Sequence, residues 1–97
     1  MDKVNLSLQV IPVGVSGTEA QYALIDRVIE MIKKSGYSYE VGPMETCIQG
    51  DLSGLLKLVE EANKLLLEGG VERIVSNVKI DCKAGGVEML SKVERHR

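Results

Sequence analysis

One stretch constrains the fold more than any other: Tyr37 to Leu52, which reads YSYEVGPMETCIQGDL. Tyr37, Tyr39 and Val41 share one face of an extended segment against Ser38 and Glu40, and Thr46 and Ile48 oppose Cys47 and Gln49 in a second. Alternation of this kind marks half-buried strands. Pro43-Met44-Glu45 supplies the turn between them, and Gly50-Asp51 hands the chain to a helix. The pattern predicts a hairpin at the middle of the fold, with a strand-helix unit before it and a helix-strand unit after it.

Upstream, Val4, Leu6, Leu8 and Val10 alternate with Asn5, Ser7 and Gln9, which predicts a strand from Val4 to Ile11. Pro12 is expected to end it, because proline cannot donate to a ladder. A helix is predicted from Thr18 to Ser35, opened by a capping box of either Ser16 with Glu19 or Thr18 with Gln21. Leu24, Ile25, Val28, Ile29 and Ile32 form its apolar face, Lys33 and Lys34 suit its dipole, and Gly36 stops it.

A second helix is predicted from Leu52 to Glu68, capped by Asp51 or Ser53 and stopped by Gly69-Gly70. Its buried face reads as Leu52, Leu55, Leu56, Val59, Ala62, Leu66 and Leu67. A last strand is predicted from Glu72 to Lys83, with Ile74, Val78 and Ile80 pointing one way and Arg73, Val75, Asn77, Lys79 and Asp81 the other. After Ala84-Gly85-Gly86, the residues Met89, Leu90 and Val93 predict a short amphipathic helix from Val87 to about Glu94.

The order β-α-β-β-α-β over residues 1–97 predicts one α+β domain with a ferredoxin-like sandwich. Its four-stranded antiparallel sheet carries two helices on one face, the first and third strands are central, and the extra short C-terminal helix is an addition. The other face of the sheet is expected to be open. It should present Asn5, Ser7, Gln9, Cys47, Gln49, Asn77, Lys79 and Asp81, mostly short uncharged polar side chains suited to directional hydrogen bonds. Such a face either binds a small ligand or packs on a second subunit, and the two are compatible because ligand sites often form where subunits meet.

Composition and missing motifs narrow the function. The chain has 97 residues, a net charge of −2, three Tyr and no Phe or Trp. The core is therefore aliphatic, and the basic field that nucleic-acid affinity requires is lacking. The opening MDKVNLSLQV has no apolar signal core and no apolar run approaches membrane-spanning length, which points to the cytoplasm and away from a membrane.

Cys47 and Cys82 are far apart in sequence and read as free thiols. The loop from Pro12 to Gly17 holds no Lys, Arg or Cys, so it fits neither a phosphate cradle nor a metal-chaperone site. Gly14-Val15-Ser16-Gly17 precedes a helix but lacks a Walker lysine and reads as a turn plus cap. His96 is the one histidine, lies in the tail and reads as solvated. No catalytic or metal-ligating constellation is present, and elimination favours a binder over a catalyst.

Ser7-Leu8-Gln9-Val10-Ile11-Pro12, Tyr39-Glu40-Val41-Gly42-Pro43, Thr46 with Gln49-Gly50, and Lys79-Ile80-Asp81 together closely resemble the thiamine-binding, YkoF-like family of small domains. The matches keep their order across nearly the whole chain. The resemblance implies a ferredoxin-like fold, assembly as a homodimer or homotetramer through the sheets, and binding of thiamine or its hydroxymethylpyrimidine portion. It implies no catalytic activity and no cofactor.

On that resemblance Ser7, Gln9, Thr46, Gln49 and Asp81 are expected to supply polar contacts to the ligand, and Met44 an adaptable apolar lid. One departure stands out. The family often carries Thr-x-x-Glu-Gly after the turn, and here Gln49 replaces the glutamate. Glutamine keeps an acceptor for a pyrimidine amino group but loses the charge that offsets a thiazolium, a loss of ~1 kcal/mol or more. Glu45, where the family often has a small residue, either restores a charge nearby or blocks the site.

Overall fold

The computed structural model describes residues Met1–Arg97. Strand β1 (Val4–Val13) leads to helix α1 (Thr18–Lys34), the hairpin β2 (Ser38–Val41) and β3 (Thr46–Gly50), helix α2 (Leu52–Glu68) and strand β4 (Arg73–Asp81). The sheet order is β2-β3-β1-β4 with every neighbour antiparallel, so β1 and β3 are central as the α+β reading requires.

The alternation in β1 places Val4, Leu6, Leu8 and Val10 in a single buried cluster with Ile48 of β3, Val28 and Ile32 of α1, and Leu55, Leu58, Ala62 and Leu66 of α2. Residues on one face of β1 meet residues from both helices, so both helices cover the same side of the sheet. The stripe on α2 runs one step differently from the sequence reading. Leu58 is buried, whereas Leu56 and Leu67 are exposed, because the positions 55, 58, 62 and 66 complete the helical repeat that faces the sheet.

Three further expectations are corrected. Pro12 does not end β1, which continues to Val13 with Pro12 opposite Ile74. The pairing of β1 with β3 stops at Leu8 and Thr46, so β1 has a neighbour on one side only at Pro12, a place where proline is tolerated. Neither capping box forms at α1. Gly17 occupies the cap position, and Gln21 instead donates from Nε2 to the Val15 carbonyl at 2.9 Å. The C-terminal helix is absent, and two single 3-10 turns, Leu90–Lys92 and Glu94–His96, take its place.

The hairpin joins α2 through one aromatic side chain. Tyr37 lies against the backbone of Gly50 and Gly54, and its hydroxyl donates to Asp51 Oδ1 at 2.7 Å. A Cβ at either glycine would strike the Tyr37 side chain, which is why glycine stands at both positions. Asp51 caps α2 by accepting from the Gly54 N–H at 2.7 Å.

The Tyr37 hydroxyl, and after it the Gly54 N–H, hold the Asp51 carboxyl below its ordinary value. The same bond to Asp51, with desolvation second, raises the Tyr37 hydroxyl. A lowered carboxyl stabilises the fold above about pH 4, its unfolded value, and that contribution is lost as pH falls through the folded value. A raised phenol contributes below about pH 10 and loses that contribution as pH rises through its folded value. Tyr37→Phe is therefore expected to flatten both the acid and the alkaline limbs of a plot of melting temperature against pH. Unchanged limbs would show that the bond does not couple folding to pH.

Candidate functional site

The side of the sheet away from the helices is not bare. After β4 the chain reverses at Gly85 and Gly86, whose φ values of 86° and 95° favour glycine. It then runs back beside β1, where the Val87 N–H donates to the Lys3 carbonyl at 3.0 Å. Residues Val87–Arg97 form a strap beside the open face, and between strap, sheet and hairpin turn lies a cleft of about 530 Å³.

The cleft is built in three parts. Its floor is the open face of the sheet, with Asn5, Ser7 and Gln9 from β1 and Cys47 from β3. Cross-strand register sets Glu40, Cys47, Ser7 and Lys79 in one row across all four strands. One wall is the hairpin turn, where the Gly42 N–H donates to the Glu45 carbonyl at 2.8 Å and Met44 stands 75% exposed. The other wall is the strap, which contributes Met89, Leu90 and Val93 as apolar lining and Lys92 and Arg97 as charges.

A part-buried amide network fixes the strap. Gln49 Oε1 accepts from the Met89 N–H at 2.6 Å and from Asn5 Nδ2 at 3.2 Å, and Gln49 Nε2 donates to Glu88 Oε2 at 3.2 Å. Asn5 Nδ2 also donates to the Val87 carbonyl at 3.1 Å. Lys3 pairs with Glu88, and the Lys3 bond, ahead of the Gln49 bond, holds the Glu88 carboxyl below its ordinary value. This explains the glutamine at position 49. A glutamate there would set a second carboxylate against Glu88 and remove the donor that Glu88 uses. Asn5 is 7% exposed, and its Oδ1 is the one buried side-chain polar atom without a hydrogen-bond partner.

The residues expected to touch a ligand divide into two groups. Ser7, Gln9, Met44 and Asp81 line the cleft together. Thr46 does not line it. It pairs with Leu8 on the helix-facing side, is 7% exposed and borders a separate hollow of about 130 Å³. Gln49 is on the open face but is committed to the strap. Sequence reasoning missed the strap residues, above all Lys92, Val93 and Arg97. The available signal was Gly85-Gly86, a pair able to turn the chain back on itself.

Charge in the cleft is balanced pair by pair. Lys92 Nζ lies 2.6 Å from Asp81 Oδ2, Lys79 Nζ lies 4.0 Å from Glu45 Oε1, and Arg97 pairs with Glu40. Cys47 is free, like Cys82, and desolvation, with the Glu45 charge next, raises its thiol. The raised thiol favours the neutral form, a weak hydrogen-bond donor. No group of three or more His, Cys, Asp or Glu is placed to hold a metal ion. No helix is long and apolar enough to cross a membrane.

The model of the family described as thiamine-binding protein matches residues 6–97. The chain belongs to that family. A UPF0045 protein of Clostridium perfringens is 43% identical over 97 residues, covering 100% of both chains.

Among solved structures, a Bacillus cereus protein described as a domain of unknown function, DUF77, superposes with a TM-score of 0.87 at 34% identity. The match covers 99% of this chain and 91% of that one. A candidate thiamine biosynthesis/salvage protein of Thermotoga maritima superposes at 0.86 with 36% identity, covering 98% of this chain and 99% of that one. Membership and fold agree with the resemblance carried by the β1, hairpin and β4 motifs.

Proposed function

We propose that this family member is a non-catalytic cytoplasmic binding protein for thiamine or its hydroxymethylpyrimidine portion, serving vitamin carriage, transport support or sensing. The observation that carries the reading is the cleft. Its volume of about 530 Å³ suits a small heteroaromatic ligand, and its floor offers uncharged hydrogen-bonding groups. Ser7 donates or accepts, while Gln9 accepts from Asn77 at 3.2 Å and keeps its own amide hydrogens for a ring nitrogen. Asp81, whose Oδ2 accepts from Lys92, offers Oδ1 as an acceptor at the rim, and Met44 folds over the ring face. Thr46 and Gln49 act as supports, Thr46 beneath the turn and Gln49 by holding the strap.

Calorimetric titration tests this reading. At least one of thiamine and hydroxymethylpyrimidine is expected to bind with an affinity of roughly tens of micromolar or tighter. Absence of heat from both, at protein concentrations able to detect that affinity, would refute the reading.

A second reading is a homodimer or homotetramer joined through the open sheet face, with no ligand. It is favoured by Ile11, Val13 and Val75, which stand exposed on that face, Ile11 and Val75 as cross-strand partners. Native mass spectrometry of freshly purified protein separates the two, since it reports subunit count and retained ligand in one spectrum.

A further inference from the structure

The ionic layout of the cleft bears on the charge of its occupant. Three carboxylates line it, Glu40, Glu45 and Asp81, and three cations line it with them, Lys79, Lys92 and Arg97. Each carboxylate is matched to one of those cations. Lys79 comes from the sheet, but Lys92 and Arg97 come from the strap, which is held in place independently through Gln49, Asn5 and Lys3. A bound organic cation gains from a carboxylate whose charge is uncompensated. Here the two sites where such a cation would settle, Asp81 and Glu40, are already filled by the ammonium of Lys92 and the guanidinium of Arg97.

We propose that Lys92 and Arg97 are specificity-determining residues that make the cleft select an uncharged aminopyrimidine over a thiazolium cation. The proposal rests on the pyrimidine-binding reading above and narrows it. Hydroxymethylpyrimidine, uncharged in mildly alkaline buffer, needs only the neutral floor of Ser7 and Gln9 and the apolar sides supplied by Met44 and Met89. Thiamine adds a permanent positive charge, which meets two resident cations and must displace one of them to reach a carboxylate.

The test is calorimetric titration of the wild-type protein and of K92A, R97A and the double variant with each ligand in mildly alkaline buffer. Wild type is expected to bind hydroxymethylpyrimidine more tightly than thiamine. Each exposed ion pair is worth a few-fold, so the double variant is expected to shift the ratio of thiamine affinity to hydroxymethylpyrimidine affinity roughly three- to tenfold toward thiamine. Circular dichroism and melting curves verify that the variants fold, and the single variants carry the test if the double one does not.

Tighter binding of thiamine than of the pyrimidine by wild type would overturn the proposal. So would an unchanged ratio of the two affinities in the folded variants. Both of those outcomes leave the pyrimidine-binding reading standing, whereas a lack of binding of either ligand to any of the proteins overturns both.

Discussion

Leu6→Ala is expected to lower the unfolding free energy by about 3–4 kcal/mol. Leu6 is fully buried at the centre of β1 and belongs to the cluster that joins both helices to the sheet. Alanine removes the side chain that fills this position, and neighbours tied into paired strands have little freedom to close the void. For a domain of this size such a loss is a large part of a total stability of about 5–15 kcal/mol and lowers the melting temperature on the order of 15–25 °C.

Urea unfolding measures the loss. Leu56→Ala is the control: Leu56 is 44% exposed on the outer side of α2, so its replacement is expected to cost less than about 1 kcal/mol. Equal losses in the two variants would mean that the apolar stripe of α2 and the centre of the core are wrongly assigned.

Gln49→Leu is expected to loosen the strap at Met89 while leaving the sheet folded. Leucine removes the acceptor for the Met89 N–H and for Asn5 Nδ2, and the donor to Glu88. Asn5 keeps the Val87 carbonyl, but the Met89 N–H is left without its partner. A buried donor left unpaired costs about 1–3 kcal/mol, and the Glu88 contact adds to that. The loss falls on local opening of residues 87–97, because the strap has no other buried polar attachment to β3.

Hydrogen exchange is the measurement. The Met89 amide is expected to exchange on the order of thirtyfold faster or more, with the β1 amides little changed. Exchange at Met89 as slow as in the wild type would show that the network does not hold the strap. Because the strap forms one wall of the cleft, the same variant is expected to weaken ligand binding.

Much of this protein was legible in the residues. The alternation of Val4, Leu6, Leu8 and Val10, the helical stripes and the turn at Pro43-Met44-Glu45 led to the observed strand order and to both helices lying on one face. These features are local, and a repeat of two or of about 3.6 residues fixes which side of an element is apolar without knowledge of its neighbours. The motifs spread over β1, the hairpin and β4 also led to the family, which the match over residues 6–97 establishes.

What needed tertiary structure was every feature that depends on a contact distant in sequence. Which turns of α2 face inward was settled by the sheet beneath it, so Leu58 is buried and Leu56 is not. Pro12 stays within β1 because β3 ends before reaching it.

The path of Val87–Arg97 was the largest such feature. Its apolar residues Met89, Leu90 and Val93 fit a helix by spacing alone, yet short polar anchors on the sheet hold it as two 3-10 turns instead. Gln49 looked like a free recognition group on the strength of its position in β3. Its partners Met89 and Glu88 lie some forty residues further along, and no local pattern announces them. The residues alone specified the four strands, the two long helices and the uncharged floor of the sheet. The fold decided how the cleft is walled and that each of its carboxylates already has a cation, because both follow from how a distant segment packs.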